Sequence, residues 1–311
     1  MPRLARLAPL IPLAALTAPA VAGPTATAPV IGGTRTADGA FPGVGALLYS
    51  FGGQTMAGCT GTLIAPTVVL TAAHCLDPEV TGGLAPSGFT FDHDTVSHSP
   101  TPVYPVASAM KHAQFDINSL PGGLGQVYDI GLVFLSTPVT DVAPVRMPTA
   151  EQATALAVDT ELRIVGYGQT SDADPNSTGV MFDAATGIRE LNSFEMRVSS
   201  GTPDPQNCHG DSGGPALADF DGELRVVGVV SRSYQSGQCD NGGVDTRVDA
   251  YLPWIAANVP DGLPCGSGPA EACPVAEDDG GCCSTGGDRR APGPLAIGAA
   301  VAAVLARRRR R

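Results

Sequence analysis

Between residues 30 and 259 almost no stretch keeps its apolar residues at helical spacing. Short apolar runs recur instead, each closed off by Gly, Pro, Asp or Ser. A buried helix face returns every third or fourth residue, whereas a strand alternates its side chains between two faces. A chain punctuated in this way cannot lay down long packed helices. It is expected to be all-β, built from many short strands closed into sandwiches or barrels. The 39 glycines and 28 prolines among 311 residues supply the turns such a chain needs. Candidate strands are 45–49, 60–64, 68–71, 130–135, 162–166, 193–198 and 224–230. One helix is expected near the domain end, over 248–258, carrying Tyr251, Trp254 and Ile255. The length allows one large domain with a sizeable core.

Three short segments in this framework carry chemistry. Gly210-Asp211-Ser212-Gly213-Gly214-Pro215 presents a hydroxyl among glycines, where backbone N–H groups can approach a substrate carbonyl closely. The amides of Gly210 and Ser212 are placed to meet the oxyanion formed when that hydroxyl attacks. Upstream lies Thr71-Ala72-Ala73-His74-Cys75, and between the two lies Asp129-Ile130-Gly131-Leu132. Taken singly, each has a plain structural reading: a packed histidine, a capping aspartate, a surface turn. Taken in order, they read as base, orienting carboxylate and nucleophile.

That constellation resembles the chymotrypsin-like (trypsin family) serine proteases, whose triad runs His, Asp, Ser along the chain. Subtilisin-like enzymes and α/β-hydrolases use other orders. The resemblance covers residues 30–259. It implies two six-stranded antiparallel β-barrels with the active site in the cleft between them and a C-terminal helix. His74 and Asp129 would come from the first barrel and Ser212 from the second. Ser212 would be the nucleophile, His74 its general base, and Asp129 the carboxylate that fixes the imidazole tautomer. The reaction so implied is peptide hydrolysis through an acyl-enzyme, on protein or peptide substrates, with no cofactor and no metal. A catalytically silent binding module or an esterase on the same fold are the alternatives. The resemblance further pairs Cys59 with Cys75 and Cys208 with Cys239.

Activation and specificity are also implied by resemblance. Val30-Ile31-Gly32-Gly33 is similar to the family's activation motif, in which a new α-amine at Val30 buries against Asp211. The preceding residue is Pro29 rather than Arg or Lys, so a trypsin-like activating peptidase would not cut there. The pocket floor would hold Gln206, with Ser231, Ser233 and Gly243 on its walls and Asp245 just behind the floor. Asp245 would add basic preference or be neutralised by a neighbour such as Arg247. Ser231-Arg232-Ser233 stands where the family usually has Ser-Trp-Gly, which removes an aromatic shelf. Without a carboxylate at the floor, small or medium uncharged side chains are expected before the cut.

The formal net charge is −12, and five of the 18 basic residues are the terminal arginines 307–311, so the domain itself is more acidic still. This argues against nucleic acid and anionic membrane surfaces as partners. Eight cysteines fit an exported, disulfide-bonded chain. Cys265 and Cys273 could form a local bridge. A zinc site is the alternative for the late cysteines, though their spacing fits no familiar ligand pattern.

The two ends concern address. Residues 1–22 read as a secretory signal peptide: Arg3 and Arg6, an apolar stretch, then Ala20-Val21-Ala22 as cleavage site. Residues 23–29 would remain as a short pro-segment. Residues 260–281 form a Gly/Pro/acidic linker. Residues 282–311 join Cys282-Cys283 to a short apolar stretch and the arginine cluster, with any membrane contact confined to this tail. The tail resembles myxobacterial-type C-terminal sorting signals, with Cys282 or Cys283 as the attachment site and a sorting peptidase as partner. A plain tail anchor is the competing reading. The expected location is the cell surface or the extracellular medium.

Overall fold

The structure is a computed structural model and describes residues 30–169, 177–235, 238–260, 262–264 and 266. The expected signal peptide, pro-segment and sorting tail lie outside the described residues, as do Cys265, Cys273, Cys282, Cys283 and almost all of the linker.

Two closed antiparallel barrels account for nearly every strand. The first joins β2 (Val44–Phe51), β3 (Gln54–Ala65), β4 (Val68–Thr71), β5 (Pro86–Thr90), β6 (Tyr104–Lys111) and β7 (Gly131–Leu135), in the order β2-β3-β4-β7-β6-β5. The second joins β8 (Glu161–Gly166), β9 (Phe182–Leu191), β10 (Glu195–Val198), β11 (Pro215–Phe220), β12 (Glu223–Ser233) and β13 (Gly243–Arg247). Its order is β9-β10-β13-β12-β11-β8, closed by β8 pairing back onto β9. A two-residue strand, β1 (Thr34–Arg35), adds to β9. Closure leaves few unpaired edges, which suits a chain with so little helix to cover them.

Turn chemistry sets the hairpins. Gly52 and Gly53 take φ of 60° and 83° between β2 and β3, and Asp221 and Gly222 take 57° and 86° between β11 and β12. Two successive left-handed residues match the twist of the flanking strands, which is why Gly-Gly and Asp-Gly serve here. Barrel one is filled by Leu47, Leu63, Leu70, Phe89 and Leu132, and barrel two by Ile164, Ile188, Met196, Val198 and Val227, all buried. Val30 belongs to this second core.

All seven expected strands are present, 68–71 with its ends as expected and the other six with shifted ends. The run 60–64 extends back to Gln54; residues 54–58 form the largely exposed part of the hairpin, with only Met56 and Ala57 apolar, and so show no apolar run. Strands β1, β5, β6, β9, β11 and β13 are not among those expected from the sequence. β6 is largely exposed and β13 carries Asp245 and Arg247, so neither shows a clean apolar alternation. The expected helix over 248–258 divides into a 3-10 turn (Asp249–Tyr251) and an α-helix (Leu252–Asn258), with Pro253 tolerated in the first turn.

Candidate active site

Each triad segment sits at the end of a strand. β4 stops at Thr71; the fully buried Ala72 and Ala73 follow, and a 3-10 turn begins at His74. Cys75 is bonded to Cys59 on β3, and its carbonyl accepts a 2.7 Å hydrogen bond from the Tyr49 hydroxyl. The histidine loop is thereby fixed to two strands. Asp129 lies just before β7 in a tight turn, in which the Ile130 amide donates to the Tyr128 carbonyl and Tyr128 takes a φ of 59°. The turn directs the Asp129 carboxylate at His74 rather than along the strand.

The His74 amide donates to Asp129 Oδ1 at 2.9 Å, and His74 Nδ1 lies 2.8 Å from Asp129 Oδ2. An ionised carboxylate only accepts, so Nδ1 carries the proton and Nε2 keeps its lone pair. Ser231 Oγ donates to the same Oδ2 at 2.6 Å, and Thr246 Oγ1 donates to the Asp129 carbonyl at 2.9 Å. Burial works against a charged His74, but the charge and hydrogen bond of Asp129, then the charge of Asp77, outweigh it and raise the imidazole pKa. For Asp129, burial raises the pKa. The charge and hydrogen bond of His74, the Ser231 hydroxyl and the His74 amide together leave it lowered. The pair is therefore set to hold an imidazolium when one forms.

The Ser212 loop is carried between the barrels. The Thr60 amide on β3 donates to the Ser212 carbonyl at 2.8 Å, and its hydroxyl donates to the Gly210 carbonyl at 3.0 Å. Those bonds turn the two carbonyls inward. Among the described residues the Gly210 and Ser212 amides donate to no backbone acceptor. Gly210 has a φ of 96°, and a Cβ there would meet Gly168 Cα at 2.8 Å. At Gly213, φ 79°, a Cβ would fall 2.0 Å from Thr71 Oγ1. Only glycine lets this loop pass so close to the first barrel. The Cys208–Cys239 bond anchors its other side.

His74, Asp129 and Ser212 line one cavity of about 350 Å³, together with Asn207, Val230, Ser231, Arg232 and Ser233. Of the residues expected around a substrate pocket, Ser231 and Ser233 line this cavity, and Gln206, Gly243 and Asp245 do not. Gln206 is fully buried and its amide is spent internally: Oε1 accepts from the Gly242 amide at 2.6 Å, and Nε2 donates to Thr202 Oγ1 at 3.2 Å. Its neighbour Asn207, which the sequence did not single out, faces the cavity instead. Gly243 lies beside Asn207, where its Cβ would come within 3.9 Å of that side chain. Asp245 is fully buried on β13, directly opposite Val230. Arg247 does not neutralise it, because Arg247 pairs with Asp249 at 2.8 Å and 3.0 Å and donates to the Asn192 carbonyl. Arg232 is held in a two-pronged pair with the buried Glu195 at 2.6 Å and 2.9 Å, and donates to the Gly123 carbonyl at 2.8 Å. A charged strap thus stands where an aromatic shelf is usual, and Glu195 gave no sequence signal because it interrupts an apolar strand.

Asp211 is fully buried and, among the described residues, accepts the amides of Cys208 and Gly168, both at 2.8 Å. Burial pushes its pKa up to about 7, against the pull of those two amides. Val30 is also fully buried, and Ile31 bridges Gln206, five residues before Asp211. Among the described residues two groups of side chains have a metal-like spacing, Cys59/His74/Cys75 and Cys208/His209/Cys239. In each the sulfurs are joined as a disulfide, so neither offers a thiolate.

A protein-family model described as Trypsin matches residues 30–255. Chymotrypsin-like elastase family member 1 of Macaca fascicularis is 31% identical over 248 residues, covering 75% of this chain and 90% of the relative. Trypsin-1 of Astacus astacus is 28% identical, covering 74% of this chain and 99% of the relative. Trypsin Blo t 3 of Blomia tropicalis is 29% identical over 245 residues.

Proposed function

Because the chain belongs to the trypsin family, a family of serine proteases, we propose that it is an exported endopeptidase working through an acyl-enzyme on Ser212. The observation that carries this reading is the Asp129–His74 pair, held by Ser231 and opening into the same cavity as Ser212. His74 Nε2 takes the Ser212 proton as Oγ attacks the substrate carbonyl, and Asp129 stabilises the resulting imidazolium. The Gly210 and Ser212 amides receive the oxyanion. The imidazolium then gives its proton to the leaving amine, the C–N bond breaks and an ester to Ser212 remains. Water, deprotonated by His74, attacks that ester, and the carbonyl–Oγ bond breaks to return the hydroxyl.

Two supporting features bear on maturation. Val30 is β-branched yet has a φ of 49°, where its Cβ crowds the preceding carbonyl. Cutting the 29–30 bond removes that carbonyl and its strain, and yields an α-ammonium able to pair with Asp211. Burial makes such a cation tolerable only with a partner. The two disulfides suit an oxidising compartment, in keeping with export through residues 1–22. Residues 282–311 are proposed to sort the mature domain to the cell surface.

The test is reaction with a serine-directed phosphonyl probe, followed by peptide mapping. Labelling at Ser212, with loss of labelling and hydrolysis in Ser212→Ala, supports the reading. A folded, processed domain that takes up no probe is a silent binding module instead. Labelling with hydrolysis of esters but not peptides would make it an esterase.

A further inference from the structure

Beside the triad cavity lies a second cavity of about 740 Å³, and the two share Leu120, Arg232 and Ser233. Residues 120–123 form one wall of this second cavity and residues 232–235 the other. Residues 120–125 read Leu-Pro-Gly-Gly-Leu-Gly and form no helix or strand, so this backbone has little of its own to hold it in one place. Among the described residues, every hydrogen bond of 120–126 reaches the second barrel. The Gly125 amide donates to Glu195 Oε2 at 2.6 Å, Arg232 donates to the Gly123 carbonyl at 2.8 Å, and Asn192 Nδ2 donates to the Gly125 carbonyl at 3.2 Å.

Glu195 is the centre of this clamp. Its side chain is buried on β10, and its carboxylate accepts from both walls at once: from Gly125 on one and from two nitrogens of Arg232 on the other. The two-pronged pair fixes orientation as well as distance. A carboxylate only accepts, which suits three donors; an amide in its place turns an NH2 towards one of them. The triad end of the same segment is anchored separately. Val127 packs with Ala73 and Phe115, and the Asp129 carbonyl accepts from Thr246 Oγ1. Loosening the clamp therefore moves the wall and leaves Asp129 in place. Building on the peptidase reading, we infer that Glu195 is a positioning residue for substrate length: through Gly125 and Arg232 it sets the gap between residues 120–123 and 232–235, and so favours peptides long enough to fill that gap over short ones. Glu195 cancels the charge of Arg232, so the gap selects on length rather than on charge.

The test uses the processed domain and two chromogenic anilides that share the residue before the scissile bond, fixed by the wild type's own preference. One carries that residue alone and the other carries three further residues before it. The wild type is expected to favour the longer substrate about tenfold or more in kcat/KM. Glu195→Gln should cut that ratio about fivefold, chiefly by raising KM for the longer substrate, and should change hydrolysis of the short one less than about twofold. Uptake of the phosphonyl probe should stay complete. Hydrogen exchange at the Gly125 amide should quicken about tenfold in the variant, a readout independent of activity. Because Glu195→Gln leaves the Arg232 charge without its partner, the double variant Glu195→Gln/Arg232→Gln serves as the second test and should lose the same length preference. A wild type indifferent to length overturns the assignment. So does a ratio unmoved in variants that take up the probe fully, or an equal fall for both substrates. A wild-type domain that does not react with the probe at all overturns the peptidase reading, and this one with it.

Discussion

Ser231 Oγ lies 2.6 Å from Asp129 Oδ2, the oxygen that faces His74 Nδ1 at 2.8 Å. One carboxylate oxygen thus joins β12 of the second barrel to the histidine loop of the first, and Ser231 and Asp129 themselves lie 102 residues apart in sequence. Ser231→Ala is expected to lower kcat while leaving covalent labelling at Ser212 detectable. It should also cost about 1.5–3 kcal/mol of stability, the range for a lost hydrogen bond to a charged group. Denaturant unfolding together with active-site titration checks both.

The pH–rate profile follows from the same pair. His74 must be neutral to act as base, and its pKa is raised above 6.5. The acid limb of kcat/KM is therefore expected above pH 6.5, with activity rising as pH passes through the folded-state pKa. The stability gained from imidazolium pairing runs the other way: it is full below pH 6.5 and lost as pH rises through the folded value. Initial rates and unfolding midpoints between pH 5 and 9 measure both. An acid limb below pH 6 would contradict the charge balance at His74.

Asp245 should cost the free enzyme stability in a pH-dependent way. Its pKa rises from 3.8 to about 8, so between these values the folded state binds more protons than the unfolded one. Stability then falls as pH rises, by up to about 1.4 kcal/mol per unit. Asp245→Asn lacks this term. Its melting temperature is expected to match wild type near pH 4 and to pull ahead progressively towards pH 8. A gap that stays constant across this range would show that the carboxyl does not titrate as its burial requires.

Active protein is expected to begin at Val30. N-terminal sequencing of the species that reacts with the phosphonyl probe decides this. Full activity in a form that retains residues 23–29 would remove the Val30–Asp211 pair from the mechanism.

Deleting residues 282–311 should release active enzyme into the medium, since every triad and disulfide residue of the two barrels precedes that tail. Intact-mass analysis of the native surface form should find residues 291–311 absent. Retention of the terminal arginines would instead favour a plain tail anchor.

Much of this molecule is legible in its sequence because the signals are local. Short apolar runs bounded by turn residues announce strands such as β4 and β8. The order His74, Asp129, Ser212 announces the triad, and the glycines at 210 and 213 announce a loop that must run close to its neighbour. Strands β6 and β13 were hidden because barrel closure pairs them whether or not their side chains alternate cleanly. The pocket was decided only in three dimensions. Residue type places an amide at position 206, but the Gly242 amide and Thr202 engage it, while Asn207 lines the cavity with its amide unpaired among the described residues. Arg232 and Glu195 meet across 37 residues only because β10 and β12 flank the same strand, β13. The sequence by itself determined the strand-rich architecture and pointed to the groups proposed to react, since both depend on neighbours along the chain. Tertiary structure alone decided which polar groups are satisfied and which remain for a substrate, since a hydrogen bond depends on position in space.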